Sequence, residues 1–157
     1  MRISSSRSFV LILALLAGHS AAAFAEEGKV MLVSKAPFAK VAAVLEQAIA
    51  DQKIGLVCHA DAQQGAAARG VKTPGNQVFL VFRNDFAVRL INADPRAAYE
   101  APIRIYLYEN QNGTATLMYV KPSALLRPYA HPEVAKVGAE LDPIFERIAA
   151  QAGEPPR

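Results

Sequence analysis

The feature that most constrains the fold is an uninterrupted apolar run at residues 78–82, Val-Phe-Leu-Val-Phe. A strand that is apolar at every position is typical of burial on both faces of a sheet. If helices covered only one face, alternate side chains of this run would lie in water. We therefore expect helices over one face and a helix or a second subunit over the other.

Hydrophobic periodicity predicts a two-layer α+β domain in the order β-α-β-α-β-α-β-β-α, with a small antiparallel or mixed sheet packed against helices. The predicted strands lie at residues 29–34, 56–60, 78–82, 103–109 and 114–120, and the last two form a hairpin around an Asn-Gly turn. The first long helix is expected to have Pro37 in its first turn and to end before Gly55. A C-terminal helix starts at Pro132, and Pro143 is expected to kink or restart it with Asp142 as the new cap.

Residues 1–25 have the pattern of an export signal. Arg2 and Arg7 are followed by a short apolar run and by small residues at Ala23 and Ala25. We expect cleavage near Ala25 and a periplasmic or secreted mature protein. The predicted organisation is a signal peptide at 1–25, a single domain at 26–152 and a flexible tail at 153–157.

The charge balance gives no support to a nucleic-acid partner. The whole chain has 17 basic and 14 acidic residues, and losing Arg2 and Arg7 would leave 15 against 14, or about +1. A balance this close to neutral has no basic footprint. No second apolar stretch reaches the length of a membrane span, and no cysteine marks a lipid anchor, so we expect no membrane anchor.

Cys58 is the single cysteine, so no intramolecular disulfide is possible. In a regular strand Cys58 shares a face with Leu56, and His59 points the other way. We expect Cys58 to be a buried small hydrophobe; the alternative is a working thiol in redox or sulfur chemistry. His59, His131 and Met118 have no ligand spacing, so no metal site is predicted, and no motif identifies a cofactor.

A cluster of polar residues is the candidate ligand site: Arg83, Asn84, Asp85, Glu100, Arg104 and Tyr106. The start of a helix near Asn84 favours anions, and a guanidinium can grip a carboxylate or phosphate with two hydrogen bonds. In this interpretation Arg83 and Arg104 hold the anion and Tyr106 forms an apolar wall. In the structural alternative, Asn84 or Asp85 caps the helix and Glu100 pairs with Arg104.

Several blocks of the chain carry a resemblance to a known family: residues 55–60 (GLVCHA), 75–78 (GNQV), 82–89 (FRNDFAVR), 100–104 (EAPIR), 114–117 (TATL) and 141–145 (LDPIF). With these blocks the chain resembles the exported branch of the domain of unknown function 302 family. The family usually has a Phe-Gly-Asn-Pro-like stretch where this chain has Phe82-Arg83-Asn84-Asp85. The resemblance implies a small two-layer α+β fold that tends to dimerise, and it implies no agreed activity.

Three functions remain open on the sequence alone. The favoured one is a non-enzymatic or accessory role in the cell envelope, binding a small ligand or metal or serving redox and sulfur homeostasis. The others are an enzyme of unknown chemistry that uses the Arg/Asp/Glu cluster and a pure protein-interaction module. A homodimer is expected, because the apolar run and the face that carries Tyr106 and Tyr108 need more cover than the helices supply.

Overall fold

The structure, a computed structural model, describes residues 28–154. The elements in this part are β1 (Lys29–Pro37), α1 (Phe38–Asp51), β2 (Gly55–Asp61), α2 (Ala62–Ala67), β3 (Asn76–Phe82), α3 (Asn84–Ala93), a 3₁₀ helix (Pro95–Glu100), β4 (Ile103–Glu109), β5 (Thr114–Val120), α4 (Pro122–Leu126) and α5 (Pro132–Gly153). No helix among them has the length and apolar character needed to cross a membrane. The predicted signal peptide, its cleavage site at Ala25 and tail residues 155–157 lie outside the described residues.

The described strands form one antiparallel sheet in the order β1-β5-β4-β3-β2. This confirms the predicted α+β class. The β4–β5 hairpin has the predicted bounds, and Gly113 adopts a φ of 78° in its turn. A positive φ is favourable for glycine because it has no Cβ.

Helices α1 and α5 cover one face of the sheet, which we call the covered face. Each helix buries one apolar stripe, and the sheet contributes every second residue of its inner strands. The largest fully buried side chains on these elements are Val41, Leu45, Ile49, Phe79, Ile105, Leu107, Leu117, Val134, Val137, Phe145 and Ile148. Burial of one such side chain stabilises the fold by about 1.5–3 kcal/mol, so this layer holds the domain together.

The opposite face of the sheet, which we call the open face, has no helix packed on it in residues 28–154. In β3, Phe79 and Val81 are 0% and 2% exposed, whereas Val78, Leu80 and Phe82 are only partly buried. Of the two covers expected for the second face, a helix of the same chain is not found in residues 28–154, and a second subunit stays a prediction. Helices α1 and α5 pack on the other side, and the outward half of the apolar run is only partly buried.

Helix α5 passes through Pro143 and does not restart there. Asp142 is not a cap; its carboxylate accepts hydrogen bonds from the backbone N–H and the hydroxyl of Ser123, at 2.9 and 2.6 Å. The buried stripe of α5 continues on both sides of Pro143, at Leu141 and Ile144. Burial of that continuous stripe offsets the hydrogen bond that proline removes.

Candidate functional site

The centre of the open face is an apolar row that crosses all five strands. β4 is the middle strand, and Tyr106 is the middle residue of β4. Directly paired residues point to the same face of a sheet, so the row follows from the strand register. In order it contains Met31, Met118, Tyr106, Val78 and Ala60.

Tyr106 is held in place by contacts on the same face. The Nδ2 of Asn76 donates a hydrogen bond to its hydroxyl at 2.5 Å, and the ring of Tyr108 lies 5.7 Å away at a tilt of 31°. Both contacts fix the ring as a rigid part of the surface. Tyr106, which we expect to form the apolar wall of a ligand site, therefore lies at the middle of the open face.

A groove of about 690 Å³ lies beside this row, between the sheet and the rim formed by the 3₁₀ helix and α4. Its apolar lining includes Val78, Leu80, Pro102, Met118, Val120 and Leu125. Its charged residues are Lys29, Glu100 and Arg104, and Tyr99 stands at the rim with 86% of its surface exposed. The groove is large enough for a small organic molecule.

Arg104 is the charged residue of the groove that projects from the middle strand. It pairs in register with Leu80, and its side chain makes no hydrogen bond or ion pair with any residue in the range 28–154. The ion pair expected between Arg104 and Glu100 does not form. Glu100 instead accepts a hydrogen bond of 2.7 Å from the hydroxyl of Tyr129, and this bond raises the pKa of Tyr129. A guanidinium beside apolar side chains is therefore available to an anion.

Arg83 and Asp85 pair with each other at the start of α3. Two hydrogen bonds of 2.7 Å join the guanidinium to the carboxylate, and Arg83 lowers the pKa of Asp85. Asn84 is the first residue of α3, and no side-chain cap forms at the preceding Arg83. The capping expected of Asn84 or Asp85 is therefore wrong, because the helix begins one residue earlier than expected and Arg83 holds the cap position.

The junction between α3 and the sheet, where the sequence placed the site, contains only a small cavity of about 30 Å³. Its lining is apolar apart from Arg83 and Glu100, and a space of this size holds about one water molecule. Arg83 also lies 4.1 Å from the ring centroid of Phe86. The structure thus divides the predicted cluster: Arg83, Asn84 and Asp85 lie at the helix start, Arg104 and Tyr106 line the groove, and Glu100 lines both the groove and the small cavity.

Arg89, which belongs to the same polar segment, has a structural role. It donates hydrogen bonds of 2.6 and 3.0 Å to Glu140 and one of 2.7 Å to Glu133. These bonds join α3 to α5, raise the pKa of Arg89 and lower that of Glu140. A guanidinium that is already paired with two carboxylates is not available to a ligand.

Cys58 is exposed, and the expectation that it is buried is wrong. A bulge in β2 places Leu56 opposite Val81 but Cys58 opposite Leu80, so Leu56 and Cys58 point to different faces. Cys58 therefore lies on the open face of an edge strand, where the described chain has no covering layer. His59 faces the helices: its ring stacks on Phe79 at 4.4 Å, and its Nδ1 lies 3.3 Å from Glu46.

Sequence reasoning missed much of the groove. Leu80 and Met118 belong to it because they alternate with core residues, a signal that the strand pattern contains. Tyr99 and Leu125 come from the rim, and no periodicity identifies them. Within residues 28–154, no group of three or more His, Cys, Asp and Glu residues could hold a metal ion.

Comparisons with known proteins give a family and a fold. The model of the family described as domain of unknown function DUF302 matches residues 30–151. The crystal structure of an uncharacterised conserved DUF302 protein from Bacillus stearothermophilus is similar, with a TM-score of 0.67 and 17% sequence identity, over 82% of this chain and 99% of that one. No curated protein matches the chain. At this identity the structural likeness supports the fold alone.

Proposed function

We propose that this chain, which belongs to the DUF302 family, is a non-enzymatic binding module for a small amphipathic organic anion. The observation that carries the proposal is Arg104, a guanidinium without a described partner in a groove that is also lined by apolar side chains such as Leu80 and Val120. The ligand class follows from the two kinds of surface. Arg104 would bind a carboxylate or sulfonate, and the groove would bind an acyl chain or a flat ring.

A guanidinium next to apolar surface favours the binding of a molecule that has both an anionic group and an apolar part. A charge-assisted hydrogen bond contributes about 1.5–3 kcal/mol when the ion is partly removed from water. Apolar surface adds about 25 cal/mol per Å² buried, which is the larger contribution for a chain of several carbons. Tyr106 offers a ring already fixed by Asn76, so little side-chain entropy is lost on binding.

The composition of the groove favours binding over catalysis. Acid–base or nucleophilic chemistry needs groups that act on one another within hydrogen-bond reach. Among the residues that line the groove there is no His, Cys, Ser or Asp, and its one carboxylate, Glu100, is hydrogen-bonded to Tyr129. An anion held beside Arg104 would thus meet no His, Cys, Ser or Asp among these residues, and the one carboxylate there is already hydrogen-bonded.

A matched pair of ligands tests the proposal. Binding of 8-anilino-1-naphthalenesulfonate is followed by fluorescence, and decanoate and decanol are used as competitors with the same tail but different head groups. The wild type should bind decanoate at least ten times more tightly than decanol. Arg104→Met should remove most of that preference, and Arg69→Met, an exposed arginine outside the groove, should not.

Equal affinity for the acid and the alcohol in the wild type would mean that Arg104 does not recognise the anion. No displacement by either competitor would mean that the groove is not a ligand site.

We also propose that the protein forms a homodimer through the open face. The central row is apolar and has a fixed tyrosine at its centre. In the single chain Met31, which belongs to this row, is 57% exposed, and the neighbouring Val33 is 65% exposed. Interfaces commonly have aromatic and methionine side chains at the centre and charges at the rim. Sedimentation at micromolar concentration should give a dimer, and a strict monomer up to millimolar concentration would refute it.

Export is the remaining part of the proposal. The basic start, short apolar run and Ala23-Phe24-Ala25 sequence support cleavage after Ala25 and a periplasmic or secreted location. The intact mass of protein recovered from the producing cell tests this. A mass that includes residues 1–25 in the accumulated protein would contradict it.

A further inference from the structure

The groove exposes one side of any ligand that it holds. Small-molecule sites usually bury 70–90% or more of a ligand's surface. The floor here is the open face, and the 3₁₀ helix and α4 form a rim on one side, but no element in residues 28–154 lies above the floor. A ligand bound to this surface alone would keep much of its apolar area in water, so tight binding requires a cover.

A second copy of the chain fits the open face in area. Strands of seven residues at about 3.3 Å per residue, five of them about 4.8 Å apart, give a face of roughly 550 Å² in projection. Stable interfaces bury about 600–1,000 Å² on each partner. The accessible area of a face with protruding side chains exceeds its projection, so the open face is close to what a dimer needs.

The pattern of residues on the open face also fits a second copy. In an isologous dimer the same patch contacts itself across a two-fold axis. The central row crosses the face through its middle and has no charged residue, so it can lie against its own copy without opposing like charges. Arg104 lies two residues from Tyr106 towards one end of β4, and Tyr99 projects from the same end.

From these observations we infer that the second copy forms the roof of the groove, so the anion site is complete only in the dimer. This inference rests on the proposed function. Apolar rows of the two copies pack against each other, and the ligand is enclosed at the end of the interface where Arg104 and Tyr99 lie. Ligand binding and dimerisation are then coupled, and coupling is reciprocal: each strengthens the other by the same factor.

The test measures dimerisation and ligand binding on the same samples. Sedimentation equilibrium gives the dimer dissociation constant with and without decanoate below its micelle concentration, and fluorescence displacement gives decanoate affinity. For the wild type we expect decanoate to tighten the dimer about tenfold. Arg104→Met should still dimerise but lose this response to decanoate.

A second variant tests whether ligand binding requires the second copy in addition to the groove of one chain. Met31→Glu places a charge in the central row, outside the residues that line the groove, and at a position exposed enough for the monomer to fold. It should be monomeric and should bind decanoate at least ten times more weakly than the wild type. Ile91→Glu, the same kind of change at a 52% exposed residue of α3, is the matched control and should change neither measurement. Val33→Glu replaces Met31→Glu if circular dichroism shows that the latter is unfolded.

Three other results would overturn the inference, and they can be told apart from a failure of the proposed function. If monomeric Met31→Glu binds decanoate as tightly as the wild type, the site needs no roof, but the binding function stands. If decanoate dissociates the wild-type dimer, or if the wild type binds it as a monomer, ligand and partner do not share an enclosed site. If the wild type binds no decanoate at all, the proposed function fails and the inference fails with it.

Discussion

The two faces of the sheet are made from the same strands, and they differ in what they are available to do. In β4, Ile105 and Leu107 are 1% and 0% exposed on the covered face, while Arg104 and Tyr106 project from the open face. The covered face is packed by α1 and α5 and supplies the stability. The open face can therefore vary in chemistry without loss of the fold, which is why we place binding there.

The largest expected difference between the faces is in the reactivity of a thiol. Cys58 lies exposed on the open face, and in dilute protein it should react with a disulfide reagent within about tenfold of the rate in denaturant. A cysteine moved to the covered face, as Ala115→Cys in a Cys58→Ala background, should react at least about 1,000-fold more slowly because labelling requires opening of the core. Slow labelling of native Cys58 at nanomolar concentration would contradict the exposed position of β2.

The next largest difference is in the cost of truncating neighbouring side chains of β5. Leu117 is 1% exposed on the covered face, and Met118 is next to it on the open face. Leu117→Ala should lower the free energy of unfolding by about 3 kcal/mol, and Met118→Ala by less than about 1 kcal/mol. Urea denaturation of protein too dilute to dimerise measures both. Equal losses would mean that the open face is part of the folding core.

A smaller difference separates two arginines. Arg89 joins α3 to α5 through Glu133 and Glu140, and Arg104 has no described partner. At neutral pH, Arg89→Met should lower Tm by roughly 3 °C and Arg104→Met should leave it nearly unchanged. Thermal unfolding followed by circular dichroism measures both. A loss of Tm in Arg104→Met equal to that in Arg89→Met would assign Arg104 a structural role.

The effect of Arg89→Met should depend on pH in a defined direction. Arg89 lowers the pKa of Glu140 from its usual 4.5, so the folded chain keeps this carboxylate charged at a lower pH than the unfolded chain does. The stability that the Arg89–Glu140 ion pair adds to the fold is complete above the usual pKa of Glu140. It is lost as the pH falls through the lowered pKa of the folded chain. The difference in Tm between wild type and Arg89→Met should therefore shrink on acidification. A difference that stays constant down to pH 2 would exclude this origin.

Hydrophobic periodicity predicted most residues of the covered face correctly, but it predicted the residues of the open face less well. The apolar stripes of α1 and α5 and the alternation of β4 identify core residues, because burial in this layer follows regular spacing. The sequence also predicted that Arg104 and Tyr106 share a face. It did not reveal the bulge that turns Cys58 outward, since a bulge depends on the register with β3.

The site was harder to predict because its groups come from segments that are distant along the chain. The bond between Glu100 and Tyr129 joins residues 29 positions apart, and the Arg89 clamp joins residues 44 and 51 positions apart. Local spacing suggested Arg104 as the partner of Glu100, and it suggested no partner for Arg89. The packing of α3, the 3₁₀ helix and α5 determines which donor side chain bonds to each carboxylate.

The most direct test of the assignment of binding to the open face is a map of amide chemical shifts in ¹⁵N-labelled protein titrated with decanoate. We predict that the largest changes occur at Leu80, Arg104 and Val120 and in the rim near Tyr99, with little change along α1 and in the middle of α5. Changes centred on α1 or α5, or on the loop around α2, would contradict the assignment of the open face as the binding surface.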